Sequence, residues 1–167
     1  MPSVTVIVID PGSQNTGWGV VRESSGVLQL VDCGVVRSTA KGATFSERLA
    51  RIYHEISQMV ARLQPQEAAI EQVFTAQNAV SALKLGQARG AAVAACAAHN
   101  IPVFDYAPTL VKKSLVGTGR AEKEQTAFMV QRLLNVRNAH WALDTSDALA
   151  VAICHLTSRR LNAITMR

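Results

Sequence analysis

No apolar stretch in this sequence comes near the roughly eighteen consecutive residues that a membrane-spanning helix requires. The short run Val4 to Ile9 stops at Asp10, with neither the basic flank nor the cleavage site of a secretory leader. The expected location is therefore cytoplasmic, with no membrane partner. Cysteine is scarce, and Cys33, Cys96 and Cys154 are odd in number, widely spaced and set among apolar neighbours. That pattern reads as buried reduced thiols, not as a disulfide framework or a Cys-x-x-Cys site. The histidines His54, His99, His140 and His155 lack metal-ligand spacing and receive no catalytic role. Repeats and low-complexity linkers are missing too, so nothing marks a second domain. What remains is a chain of 167 residues, 49% hydrophobic, long enough for one domain with a sizeable core. The expected layout is a domain over 1–158 and a basic tail over 159–167, either disordered or adding phosphate contacts.

Charge is more informative in its distribution than in its total. The net charge of +5 comes from 17 basic and 12 acidic residues and only mildly favours a polyanionic partner. If Asp10, Glu71, Asp144 and Asp147 are gathered into one site, 17 basic residues face the remaining 8 acidic ones, a net of +9. A basic body around an acidic hole attracts phosphates, and the hole needs cations to tolerate them. Nucleic acid plus metal is the partner class this implies.

The order of elements gives these acids a place to meet. Val4 to Ile9 is β-branched and continuous, and Asp10-Pro11-Gly12-Ser13 ends it with turn residues. Thr16 to Arg22 and Val27 to Arg37 follow as further strands, making an antiparallel meander. Thr44-x-x-Glu47 has the form of a capping box ahead of apolar residues at helical spacing from Leu49 to Leu63, with Pro65 ending the pattern. Ala68 to Phe74 returns to strand, Asn78 to Ala98 is an Ala-rich helix, and Ile101 to Tyr106 is a fifth strand. Helices are expected over Thr109 to Val116, from Glu122 to Leu134, and from about Asp144 onward. This order predicts an α/β fold, a five-stranded mixed sheet flanked by helices on both faces, of the ribonuclease-H-like kind. In that arrangement the first strand is central, the fourth lies beside it and the last helix crosses nearby.

Asp10 would then close the central strand, Glu71 would lie in its neighbour, and Asp144 and Asp147 would open the last helix. Three residues apart, the latter two share a helix face, with Cβ atoms roughly 5 to 6 Å apart. Four carboxylates so close would take up protons unless cations joined them. Hard oxygen ligands in an open cluster suit Mg²⁺, two ions per site, or Mn²⁺. Such a pair hydrolyses phosphodiesters, leaving a 5′ phosphate. Other readings stay open on spacing alone. Asp10 before Pro-Gly also suits a plain turn, and Asp-x-x-Asp also suits a helix cap. Glu71 interrupts an otherwise apolar strand, where an unpaired carboxylate costs on the order of several kcal/mol.

The same residues lie in stretches that resemble the RuvC family of Holliday-junction resolvases. Ile9-Asp10-Pro11-Gly12-Ser13 with Thr16-Gly17-Trp18-Gly19-Val20 is similar to that family's first strand and hairpin. Ile70-Glu71-Gln72-Val73-Phe74, running on to Ser81 through Gly90, resembles its second acidic motif. Val111-Lys112, Val116-Gly117-x-Gly119 and Ala121-Glu122-Lys123 resemble its basic segment, and Asp144-x-x-Asp147-Ala148-Leu149-Ala150 its last acidic motif. The likeness runs from about Val4 to Leu156.

The resemblance implies a ribonuclease-H-like nuclease domain over 1–158. It also implies a homodimer making Mg²⁺-dependent paired nicks across four-way DNA junctions in recombination and repair, with the branch-migration proteins RuvA and RuvB as partners. It implies metal binding and catalysis by Asp10, Glu71, Asp144 and Asp147, with Lys123 assisting. Lys112, Lys123 and Arg120 become candidate DNA contacts. Phe74 matches an aromatic that stacks on bases, against the alternative of a core phenylalanine. Ala82, Gly86 and Gly90 would let two copies of the helix approach closely, against the alternative of packing on their own sheet.

Three rival functions remain. Asp-x-Gly-Ser-x-x-Thr after a strand also resembles the phosphate hairpin of actin-like and sugar-kinase-like phosphotransferases, which need two related domains. A ribonuclease H acting on RNA–DNA hybrids would share the carboxylates. A noncatalytic junction binder would have lost one or more of the acids, and none is lost.

Overall fold

A computed structural model describes residues 3–39, 41–72, 78–120, 122–137 and 139–165, with side chains through Leu161. Strand β1 (Val4–Asp10) is flanked by β2 (Asn15–Ser24), its antiparallel partner, and by β4 (Glu67–Glu71), which runs parallel to it. The outer strands are β3 (Val27–Arg37) beyond β2 and β5 (Val103–Tyr106) beyond β4, so the sheet order is β3-β2-β1-β4-β5. This is the expected five-stranded mixed sheet with the first strand at its centre.

Alternation along β1 divides the core in two. Val4, Val6 and Val8 face one layer, and Ile7 and Ile9 the other. Because both faces are covered, β1 reads as an unbroken apolar run, as interior strands do. Helices α1 (Phe45–Leu63) and α2 (Ala79–Ala98) cover the isoleucine side through Ile52, Ile56, Ala88, Ala92 and Ala95. The valine side is covered by α3 (Pro108–Val116), α4 (Lys123–Leu133) and α5 (Leu143–Thr165). Helix α5 lies between the sheet and the other two, and so is buried nearly all round from Ala148 to Leu156.

Local signals behave as the sequence predicts in α1. Thr44 caps it, and its amide N–H donates to Glu47 Oε2 at 2.7 Å, a reciprocal capping box contributing about 1 kcal/mol. Gln64 closes the helix in a left-handed conformation, φ 45°.

Glycines in β2 seat α5. A Cβ at Gly17 would lie 2.0 Å from the carbonyl oxygen of Asp144, and one at Gly19 would lie 2.5 Å from Leu149 Cδ2. Thr145 Oγ1 then donates to the carbonyl of Gly34 at 3.1 Å. The helix start is thereby fixed against the hairpin that follows Asp10.

The far end of α5 is anchored to β4. His155, 2% exposed, meets Glu67 Oε2 through Nε2 at 2.7 Å and the Tyr106 hydroxyl through Nδ1 at 2.8 Å. Arg159 Nε donates to Glu67 Oε1 at 2.9 Å. Burial lowers the affinity of His155 for a proton below its ordinary value, though Glu67 opposes this. Glu67 is itself held below its usual range: burial pushes it up, but the bonds from His155 and Arg159 prevail.

Three expectations are corrected. Strand β4 ends at Glu71, so the carboxylate stands half-buried at a strand end and not within a longer strand; Val73 and Phe74 lie outside the described residues. Asp144 and Asp147 both fall inside α5, which begins at Leu143, so neither is the residue preceding the helix. Arg159, where the tail was expected to begin, belongs to α5, which continues to Thr165, and its side chain bonds Glu67.

Candidate active site

Sheet register brings the first two acids together. Asp10 is the last residue of β1, opposite Gly17 of β2. On its other side Ile9 pairs with Ile70, which leaves Asp10 and Glu71 adjacent as β1 and β4 end. Contact between Asp144 and Gly17 delivers the start of α5 to the same rim, and Asp147 follows one turn later on the same helix face.

The four acids lie in one electrostatic field. Burial and then the charges of Glu71, Asp147 and Asp144 raise Asp10 from its ordinary 3.8 to about 8, with Lys123 opposing. Glu71 is also raised, by burial and by Asp147, while a hydrogen bond with Asp10 and the charges of Lys123 and Lys112 pull the other way. The two carboxyls are hydrogen-bonded to each other, and the negative charge around them favours a proton on Asp10 when no cation is present.

Two lysines line the cleft. Lys123, at the start of α4, donates from Nζ to Asp147 Oδ2 at 3.0 Å, with the lysine side chain 58% exposed and the aspartate 24%. That bond and the neighbouring acids raise its pKa, so it stays an ammonium. Lys112 faces Glu71 across a cleft of about 200 Å³ whose walls also include Pro108, Thr126 and Asp147. Arg120 sits exposed in the turn between α3 and α4, its amide N–H donating to Thr118 Oγ1 at 3.3 Å.

The donor set suits divalent cations. Four carboxylates face one bonded ammonium, an excess of negative charge that protons relieve at Asp10 and that hard cations relieve better. Among the described residues no three acidic, thiol or imidazole side chains already stand in a closed cage, and Lys123 takes up one oxygen of Asp147. An open cluster of this sort matches ions that keep several waters and bind substrate phosphate.

The loop after Asp10 is held from behind. Thr16 Oγ1 accepts from the amide N–H of Gly12 at 3.4 Å and donates to the Gly12 carbonyl at 3.2 Å. Ser38 Oγ donates to the carbonyl of Gln14 at 3.0 Å, and Arg48 donates from Nη2 to the carbonyl of Ser13. Sequence reasoning missed the supports from Ser38 and Arg48 because neither residue belongs to a motif.

On the other layer, Ala82, Gly86 and Gly90 point away from the sheet. All three are exposed, and a Cβ at either glycine would meet nothing within 4 Å. Val80 and Leu83 are exposed beside them. Packing of this stripe on its own sheet is thus ruled out; Ala88, Ala92 and Ala95 face the sheet instead.

Comparison with known proteins agrees with this architecture. The family model described as crossover junction endodeoxyribonuclease RuvC matches residues 6–155. A crossover junction endodeoxyribonuclease RuvC from Oleidesulfovibrio alaskensis is 64% identical over 161 residues, 96% of this chain and 95% of the relative. One from Vibrio vulnificus (strain CMCP6) is 45% identical over 155 residues, 93% of this chain and 88% of the relative. Among solved structures, T. thermophilus RuvC in complex with Holliday junction substrate has a TM-score of 0.88 at 33% identity, covering 95% of this chain and 96% of that one. The yeast mitochondrial Holliday junction resolvase Ydc2 shares the fold, with a TM-score of 0.67 at 16% identity over 89% of this chain and 76% of that one.

Proposed function

The chain belongs to the crossover junction endodeoxyribonuclease RuvC family, and we propose that it resolves four-way DNA junctions by paired nicks made at Asp10, Glu71, Asp144 and Asp147. The observation that carries the reading is the meeting of these four acids at one rim of the sheet, close enough to raise Asp10 to about 8. Magnesium, two ions per site, is the cofactor we assign, with Mn²⁺ able to replace it. Bound there, such ions neutralise phosphate charge and supply a nucleophile from water at neutral pH.

The protein's own part is positional. Asp10 and Glu71 present oxygens from two adjacent strand ends, which cannot move relative to each other without breaking the sheet. Asp144 and Asp147 present theirs from a helix turn seated on Gly17. Lys123 holds Asp147 and brings a permanent positive charge to the place where the phosphate must sit. Lys112 extends that charge along the cleft wall, and Arg120 carries it to the exposed turn beyond. Phe74, which follows Glu71 closely, is assigned to stacking on bases by family resemblance.

Symmetric cutting needs two such sites, and the exposed stripe of Ala82, Gly86 and Gly90 with Leu83 is the surface we assign to a second copy. Its small residues let helix backbones approach closely across a two-fold axis. RuvA and RuvB are the expected partners, and the cytoplasm the expected location; among the described residues no helix is long and apolar enough to cross a membrane.

The test compares a labelled four-way junction with matched linear duplex and RNA–DNA hybrid, in Mg²⁺, in Mn²⁺ and in chelator. Symmetric metal-dependent nicks confined to the junction are expected. Cutting of the hybrid alone would keep the carboxylate chemistry and replace the substrate.

A further inference from the structure

A second cavity, of about 440 Å³, opens at the outer edge of the sheet where β3, α1 and the entry to α5 meet. Its walls include Gly34, Arg37, Arg51, Glu55, Trp141 and Thr145. None of these residues belongs to the catalytic cluster, yet the cavity lies next to it: Thr145 directly follows Asp144, and register runs from Asp10 to Gly17 to Val35 straight across the sheet. Two strand spacings make that line about 10 Å long.

Its chemistry is donor-rich. Arg37 is exposed and has no ion-pair partner among the described residues. Arg51 meets Glu55 at 3.3 Å through Nε alone, so its terminal nitrogens stay available. Trp141 keeps its indole N–H buried with no acceptor among the described residues. Against these donors the cavity offers one carboxylate, Glu55, already engaged by Arg51. An anion with several oxygens is the ligand such a wall selects, and a guanidinium pair grips phosphate well.

We propose that this cavity is a subsite for the DNA strand being cut, in which Arg37 and Arg51 clasp a backbone phosphate lying near the scissile one. The inference rests on the reading of the carboxylate cluster as a nuclease site. The roughly 3.4 Å rise per nucleotide is measured along the helix axis and successive phosphates of one strand stand farther apart than that, so about 10 Å places that phosphate one or two nucleotides from the bond that breaks. The subsite lies on the β3 side of the cluster and the two lysines lie on the α3 and α4 side, so the strand is held on both flanks of the reacting phosphate.

Junction binding is measured by fluorescence anisotropy in chelator across a salt series, for the wild type, Arg37→Ala, Arg51→Ala and the double variant. The log–log slope is expected to become shallower by about 0.9 for each phosphate no longer neutralised. At low salt, Kd should rise about tenfold, as for removal of a hydrogen bond to a charged group. Position is then read with junctions carrying one uncharged methylphosphonate at each of the four linkages on either side of the scissile phosphate. The wild type should lose affinity at the first or second linkage on one side, and Arg37→Ala should be indifferent to that same substitution. Unchanged salt slopes, or a variant as sensitive as the wild type at every linkage, overturns the subsite. Since binding is read without cutting, failure of the subsite leaves the nuclease assignment standing, and failure of cutting leaves the slopes readable.

Discussion

Gly17 and Asp144 touch backbone to backbone: the place where a Cβ would stand on the glycine is 2.0 Å from the aspartate's carbonyl oxygen. No side chain fits there, so Gly17→Ala must push the first turn of α5 off β2. Overpacking of this kind costs about 1 to 3 kcal/mol, and here the displaced atoms carry two of the four acids. Cleavage should fall by at least about a hundredfold, as small misplacements of reacting groups do, while far-ultraviolet circular dichroism stays unchanged. Wild-type cutting by Gly17→Ala would show that α5 can shift without consequence.

Asp10→Asn should abolish cutting and preserve junction binding. It should also alter stability in a particular direction. Asp10 is raised from 3.8 to about 8, so the metal-free folded protein binds more protons than the unfolded chain over that interval, and stability falls as pH rises through it. The asparagine variant has no such proton to lose. Melting curves in chelator between pH 5 and pH 9 should show the wild type losing ground to Asp10→Asn as the solution becomes more alkaline; parallel curves would refute the raised value.

The two cleft lysines should separate by phenotype. Lys112→Ala should weaken junction binding and lower the salt slope by about 1, as expected when one phosphate goes unneutralised. Lys123→Ala should reduce cutting more than binding, because its ammonium is bonded to Asp147 within the cluster. Equal losses in both variants would place Lys123 with the purely electrostatic contacts.

Gly86→Arg inserts a long charged side chain where a Cβ would meet nothing within 4 Å of the same chain. Helix propensity favours arginine over glycine by about 0.8 kcal/mol, so the monomer should be no less stable. Sedimentation velocity should nevertheless show a smaller species than the wild type. If the variant remained dimeric, the interface would have to lie elsewhere.

Acid should loosen the clamp at the far end of α5. His155 and Glu67 are both held below their ordinary values, so the folded protein binds fewer protons than the unfolded chain. Their contribution is complete above the ordinary histidine value and disappears as pH falls through the depressed ones. Glu67→Gln should lower the melting temperature at pH 7, by an interaction on the order of 2 kcal/mol. It should also flatten the fall in melting temperature below the ordinary carboxylate value of 4.5, where Glu67 itself takes up a proton. A variant that melts in parallel with the wild type over that range would remove Glu67 from the clamp's titration.

Much of this architecture was legible in the residues. The apolar run of β1, the capping box at Thr44 and the order of strands and helices each carry a local signal, and the sheet follows from them. The acids could be named from their motifs, but their meeting depended on register, which no local pattern encodes. Glu71 shows the limit: apolar neighbours on both sides suggested a strand interior, whereas β4 stops at that residue. The network of Glu67, Tyr106, His155 and Arg159 left no trace, because it joins positions up to 92 residues apart that look individually like ordinary surface or core choices. Gly17 and Gly19 were visible as motif residues, but their purpose, to receive a helix from more than a hundred residues later, was not.

Between Asp147 and His155 the helix rises about 12 Å, and between Glu71 and Glu67 the strand spans about 13 Å. The two elements are therefore matched in length and fastened at both ends, one end bearing the acids and the other the Glu67 clamp. Such a pair tolerates no change of length. One residue inserted between Asp147 and His155 would turn one end by about 100° relative to the other, since 3.6 residues make a turn, so either the clamp or the acids would face the wrong way. Length variation among functional relatives should therefore be absent from the stretch between the two fastenings.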